Sequence, residues 1–176
     1  MSQISVDSVI PQSGTTVTLG ASGDTISVPS GVTLTNNGTA SGFGKVLQVV
    51  NATYGSVETT TSTSFVATSL TASITPSSTS SKILVLLHMN LRQDGGENVA
   101  GTIYRDTTNL GDATWGMGRN YSPSSNHTNF SFNWLDSPST TSSTTYTLYF
   151  RSHTGGIVYS SAGSPTGSIT LIEIES

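Results

Sequence analysis

The chain has 176 residues, a formal net charge of −4 and no cysteine. That length fits one domain, or one domain with a small appendage. The acidic balance excludes a basic nucleic-acid-binding stripe, and the missing cysteines exclude disulfides and thiolate metal sites.

Charged residues make up only 9 % of the chain, against about 25 % in ordinary globular proteins. Serine and threonine fill about a third of it. Threonine favours strands; serine, glycine and proline favour turns. The composition therefore predicts an all-β protein wetted by hydroxyls rather than by ions. The opening MSQISVDSVIPQSG lacks the basic region and apolar core of a signal peptide. The longest apolar run, 83–91, is interrupted by His88 and Asn90 and is far shorter than the roughly 20 residues of a membrane helix. No nucleic-acid partner and no membrane insertion are expected.

Residues 1–44 contain a single aromatic residue, Phe43, and no lysine or arginine. Apolar dyads, Val17-x-Leu19, Ile26-x-Val28 and Val32-x-Leu34, alternate with turn glycines such as Gly14, Gly20, Gly23, Gly31 and Gly38. Each dyad predicts a very short strand with alternate residues turned inward. Such a segment buries too little apolar surface to stand alone. Two readings stay open. Three copies wind into a β-stalk with Val17, Leu19, Ile26, Val28, Val32 and Leu34 toward the axis, or the segment is a tail docked on a larger assembly. GFGKV, 42–46, reads as a hinge.

From Lys45 the pattern changes. KVLQVVN (45–51), SVETT (56–60) and SFVATSLTASITP (64–76) read as strands. KILVLLHMNL (82–91) is nearly continuous in apolar residues and predicts a strand covered on both faces. Further strands are expected at 99–105, 114–119, 128–136, 144–152, 156–161 and 167–175. Tyr146, Leu148 and Phe150 share one face; Ile169 and Leu171 face opposite to Ile172 and Ile174. The alternation of Phe130, Phe132 and Trp134 predicts a core row. This spacing of strands predicts a β-sandwich head over 45–176, with a jelly roll as its plan.

No local constellation carries chemistry. His88, His127 and His153 are the only histidines, and none pairs with another at metal-ligand spacing. His88 reads as a core or interface residue and His127 as a solvated loop residue. A sugar-cleaving enzyme would need two close carboxylates among Asp94, Glu97, Asp106, Asp112 and Asp136; no motif points to such a pair. No cofactor and no metal are expected. The remaining candidates are aromatic. Trp115 and Tyr121 flank a loop rich in Gly, Asn and Ser, and with Asn120 and Asn126 they form a candidate surface for a glycan, ring against ring face and hydroxyls to amides.

Several phrases carry a resemblance: GKVLQVVNATYGS, TSFVATSLTASITPSSTSSKILVLLHMN, LDSPSTTSSTTYTLYF and the closing SITLIEIE. Together they resemble a domain of virion proteins from marine and freshwater tailed phages, there preceded by a leader similar to ISVDSVIPQSGTTVTLGASGDTISVPSG. The resemblance implies a non-enzymatic structural protein, a homotrimer assembled in the bacterial cytoplasm and displayed on the virion surface. It implies contacts with other virion proteins, capsid or tail, and with a host-surface glycan. The long shaft of a full tail fibre is missing, which favours a short surface fibre or a capsid decoration at threefold lattice sites.

Overall fold

The computed structural model describes residues 9–25, 27–33, 35, 46–161 and 166–175. The chain divides into two compact units, 1–42 and 43–176.

Among the described residues of the first unit no strand forms, in contrast to the short strands expected there. A two-residue dyad has no ladder partner within one chain, and even a full two-stranded pair is marginal in water. Turns organise the segment instead. Asp24 N–H donates to the Ala21 carbonyl at 3.0 Å, and Ala21 N–H donates to the Asp24 carboxylate at 2.6 Å. Val17, Leu19, Val28 and Val32 are all exposed. Ile26, Leu34 and the hinge residues 42–45 lie outside the described residues.

The second unit is all-β; among its described residues there is no helix. Its strands are β1 (Val46–Tyr54), β2 (Glu58–Thr60), β3 (Val66–Ile74), β4 (Lys82–Gln93), β5 (Glu97–Arg105), β6 (Thr108–Asn109), β7 (Gly118–Ser122), β8 (Asn126–Asp136), β9 (Thr144–Ser152), β10 (Val158–Ser160) and β11 (Gly167–Ile174). They form two antiparallel sheets. In the first, β4 pairs along its length with β8; on its other side β11 and β10 lie end to end. β1 and β2 continue that sheet beyond β11 and β10. In the second, β5 is central, with β9 and then β3 on one side and β7 and β6 on the other.

The two-residue period explains the packing. Ile83, Val85, Leu87, Met89 and Leu91 of β4, with Ile169 and Leu171 of β11, turn inward from the first sheet. Leu70 and Ile74, Ile103, and the expected row Tyr146, Leu148 and Phe150 meet them from the second. All are essentially inaccessible to solvent, one contiguous core between two sheets.

Three expectations are corrected. β4 is covered on one face only: Leu84 is half-buried, and Leu86 and His88 are exposed. Among the described residues of the second unit no other element covers Leu86 and His88, while Asn90 further along that face is buried. The strand expected at 114–119 begins instead at Gly118. Asp112 and Gly116 close a tight loop with mutual backbone bonds of 3.1 and 2.9 Å, and Gly116 has φ +64, a left-handed turn that glycine adopts at little cost. Finally, Phe130 and Phe132 are core, but Trp134 is 40 % exposed. It lies beyond the inner row, on a strand that, among the described residues, no other strand pairs with on its far side.

The serine-rich loop before β4 also finds its physical reason. Glu173 is buried in β11, and its carboxylate accepts from Ser77 N–H at 2.7 Å, Ser77 Oγ at 2.6 Å and Gln48 Nε2 at 2.5 Å. Burial alone would push this carboxyl up. The bonds from Ser77 and Gln48 outweigh it and hold the pKa down at about 2. A loop without charges of its own is thus pinned to one buried carboxylate.

Candidate functional site

The outer face of the second sheet brings together Arg119 and Arg151 with the aromatic side chains of Phe65, Tyr104, Trp115, Tyr121 and Tyr149. Its centre, β5, carries small residues outward, Ala100 and Thr102, both buried. The 110–117 loop lies against Thr102, and Gly111 and Gly116 permit the approach. A Cβ on Gly111 would lie 2.6 Å from Thr102 Oγ1, and one on Gly116 would lie 2.4 Å from the Gly101 carbonyl. The Asp112 carboxylate accepts from Thr114 N–H at 2.8 Å and Trp115 N–H at 2.7 Å. These bonds lower its pKa and fix the backbone that presents Trp115.

The Trp115 indole is held between two strands' contributions. Arg119, on β7, stacks its guanidinium 3.9 Å from the ring centroid, a cation–π contact. His153, just past β9, stacks from the other side of β5 with centroids 4.5 Å apart. His153 Nδ1 lies 2.9 Å from Arg151 Nη2, and Arg151 in turn lies 5.4 Å over the Phe65 ring. Tyr104 and Tyr149 stack at 3.8 Å beside this ladder; burial and the neighbouring Tyr149 raise the Tyr104 pKa. Among the described residues the ion pairs are Arg92–Asp94 and Arg105–Asp136, and neither Arg119 nor Arg151 takes part in one. The Arg151 Nε–H is out of solvent with no hydrogen-bond partner.

Of the four residues read as a glycan surface, Tyr121 is 58 % exposed on the same outer face as Arg119. Trp115 is half-buried between Arg119 and His153. Asn120 turns inward, where its amide donates to Gln93 Oε1 at 3.2 Å. Asn126 is exposed on the other sheet, at the start of β8. Trp115, Tyr121 and the arginines thus share one face, whereas Asn120 and Asn126 do not. Sequence reasoning missed Arg119, Arg151 and His153. One signal was present: Tyr149, Arg151 and His153 alternate with the inward row of β9 and so share its outer face.

Two concavities lie elsewhere. A groove of about 510 Å³ between β8 and the 110–117 loop is lined by Leu110, Met117, Phe132 and Trp134, with Asp112 and Asn133 at its rim. A smaller one of about 250 Å³, lined by Leu86, His88, Ser131, Asn133 and Thr170, lies on the outer face of the first sheet.

The carboxylates considered for sugar cleavage each hold structure. Glu97 closes the 152–156 turn, and Asp136 binds Arg105 and Tyr146. Asp94 meets Arg92 and Tyr159, Asp106 caps Thr145, and Asp112 caps its own loop. Among the described residues no cluster of three metal-ligating side chains forms, and no helix is long and apolar enough to cross a membrane. No protein-family model matches the chain, and no curated protein matches its sequence.

Proposed function

We propose that this chain is a non-enzymatic surface protein of a tailed-phage virion, a homotrimer whose sandwich head binds a host-surface glycan. The phage setting rests on the sequence resemblance. The strand order supports a jelly-roll head: the chain crosses between the sheets at β2–β3, β3–β4, β4–β5, β7–β8, β8–β9 and β9–β10, and the sheets run β1/β2–β11/β10–β4–β8 and β3–β9–β5–β6/β7. Residues 1–44 serve as the attachment arm or intertwined stalk, with Val17, Leu19, Ile26, Val28, Val32 and Leu34 toward the threefold axis.

The observation that carries the binding reading is the Arg119–Trp115–His153–Arg151 ladder on an exposed face. Two guanidinium groups outside the described ion pairs share this face with an exposed tyrosine, and Arg151 acts on the Asp112 carboxylate only through space. A sugar ring packs on Tyr121 while its acidic or hydroxyl groups accept from Arg119. The engaged state of the carboxylates supports binding over hydrolysis.

The test is binding of the full chain to an array of neutral and acidic bacterial-type oligosaccharides. Wild type is expected to bind acidic members. Arg119→Ala and Tyr121→Ala should each weaken that binding about tenfold or more, the cost of one charge-assisted bond or one ring contact. No binding by wild type, or unchanged binding by both variants, would remove the glycan reading. Immunogold on virions then separates the two placements: label at the tail fits the short fibre, and label over the head fits the decoration.

A further inference from the structure

The outer face of the first sheet has an arrangement that the described residues of the second unit leave unused. Val49, Ile172, Leu84 and Leu135 are in direct register across β1, β11, β4 and β8. They form an unbroken apolar row over four strands. Val49 is 58 % and Leu135 53 % exposed, whereas the solvated face of an antiparallel sheet normally carries polar residues. Ile174 extends the row on one side and Leu86, 41 % exposed, on the other. The next rows are polar and hold no Lys, Arg, Asp or Glu: Asn51, Thr170 and Asn133, then Thr53, Ser168, His88 and Ser131. Lys82, at one corner and bonded to Ser137, is the single formal charge in these rows.

We infer that this face is the self-association surface of the head, covered by further copies of this chain. The inference rests on the trimeric reading above and says which surface builds the trimer. Charge argues for it. A face with almost no charge offers nothing to select an ionic partner, and it sets no like charges together when identical copies meet. The opposite outer face, with Arg119 and Arg151, would oppose cation to cation in the same arrangement. Size argues for it as well. Four strands about 4.8 Å apart and seven residues of about 3.4 Å each make a face of roughly 19 by 24 Å. That is about 450 Å² in projection, more than half of the roughly 800 Å² that each partner buries in a standard interface. An apolar patch of this kind on a soluble protein marks an interaction site. Three such faces turned to one axis leave the Arg119–Trp115 face outward.

The chain lacks cysteine, so one introduced thiol is a unique probe. In the full-length protein, Leu86→Cys and Leu135→Cys are treated with a short bismaleimide, with Tyr121→Cys as the comparison on the other sheet. Separately, the solution masses of wild type, Leu135→Arg and Val49→Arg are measured by light scattering, with circular dichroism reporting the fold. The expected results are covalent multimers from positions 86 and 135 but not 121, and a fall of both arginine variants to single-chain mass with the β signal kept. If an arginine variant does not fold, the cross-linking result decides. A wild-type trimer that neither cross-links at 86 and 135 nor dissociates in the variants overturns this inference and leaves the trimeric reading standing. A wild-type monomer overturns both.

Discussion

Glu97→Gln should lower the melting temperature at neutral pH by about 10 °C and flatten the loss of stability in acid. Glu97 is 3 % exposed. Its Oε1 accepts from Asn98, His153 and Thr154 N–H at 2.8, 3.0 and 2.9 Å, and its Oε2 from Thr154 Oγ1 and Gly156 N–H at 2.6 and 2.7 Å. Burial pushes this carboxyl up, and the bonds from Thr154, Asn98 and Gly156 outweigh it, leaving a pKa of about 2 against an ordinary 4.5. A folded-state pKa below the unfolded one gives stability that is fully present above about 4.5 and is lost as pH falls toward 2. The difference corresponds to about 3 kcal/mol, or a shift of about 10 °C for a chain of this size. Glutamine puts an NH₂ against donors and keeps one acceptor. Melting curves of both proteins between pH 2 and 7 check this. Glu173 has the same sign and remains in the variant, so about half of the wild-type acid slope should persist. An unchanged slope would mean that Glu97 does not hold the turn as a carboxylate. The turn also carries His153, so the variant should bind glycan more weakly although Glu97 lies behind the recognition face.

Asp136→Ala is expected to cost about 3–5 kcal/mol, as does breaking other buried charge pairs. Asp136 is 6 % exposed at the end of β8. Both its oxygens lie 2.9 Å from Arg105 Nη1, and Oδ2 accepts from Tyr146 O–H at 2.7 Å. The Tyr146 hydroxyl is driven strongly up by burial and by its bond to Asp136, so it donates at any ordinary pH. Alanine strands a guanidinium and a phenol together. Tyr146→Phe keeps the Arg105 pair and should cost only about 1–2 kcal/mol. In the double variant the phenol is no longer stranded, so the loss should be smaller than the sum of the two. Urea titration of the four proteins measures this. A cost below about 1 kcal/mol for Asp136→Ala would show that water replaces the carboxylate without penalty.

What the sequence disclosed follows from alternation. Tyr146, Leu148 and Phe150 were readable as one inward row because a strand's side-chain period is two, and the same period placed Tyr149 and Arg151 outward. That the outward residues meet Trp115 was not readable. Trp115 reaches them through a loop closed by Asp112, and its neighbours come from β7 and from beyond β9. β4 misled for a related reason. Its even positions Leu84 and Leu86 are aliphatic, as in a strand buried on both sides, yet within the second unit Leu84 stays half-buried and Leu86 exposed; the inferred contact between copies accounts for them. The dyads of 1–44 carry alternation too short to name a partner strand, so their inward or outward sense depends on what the segment meets.

The most direct test of the account is the mass of the purified, unheated full chain by light scattering. The account predicts three chains per particle. A stable single chain at micromolar concentration would contradict both the trimer and the uncharged apolar face as its seam.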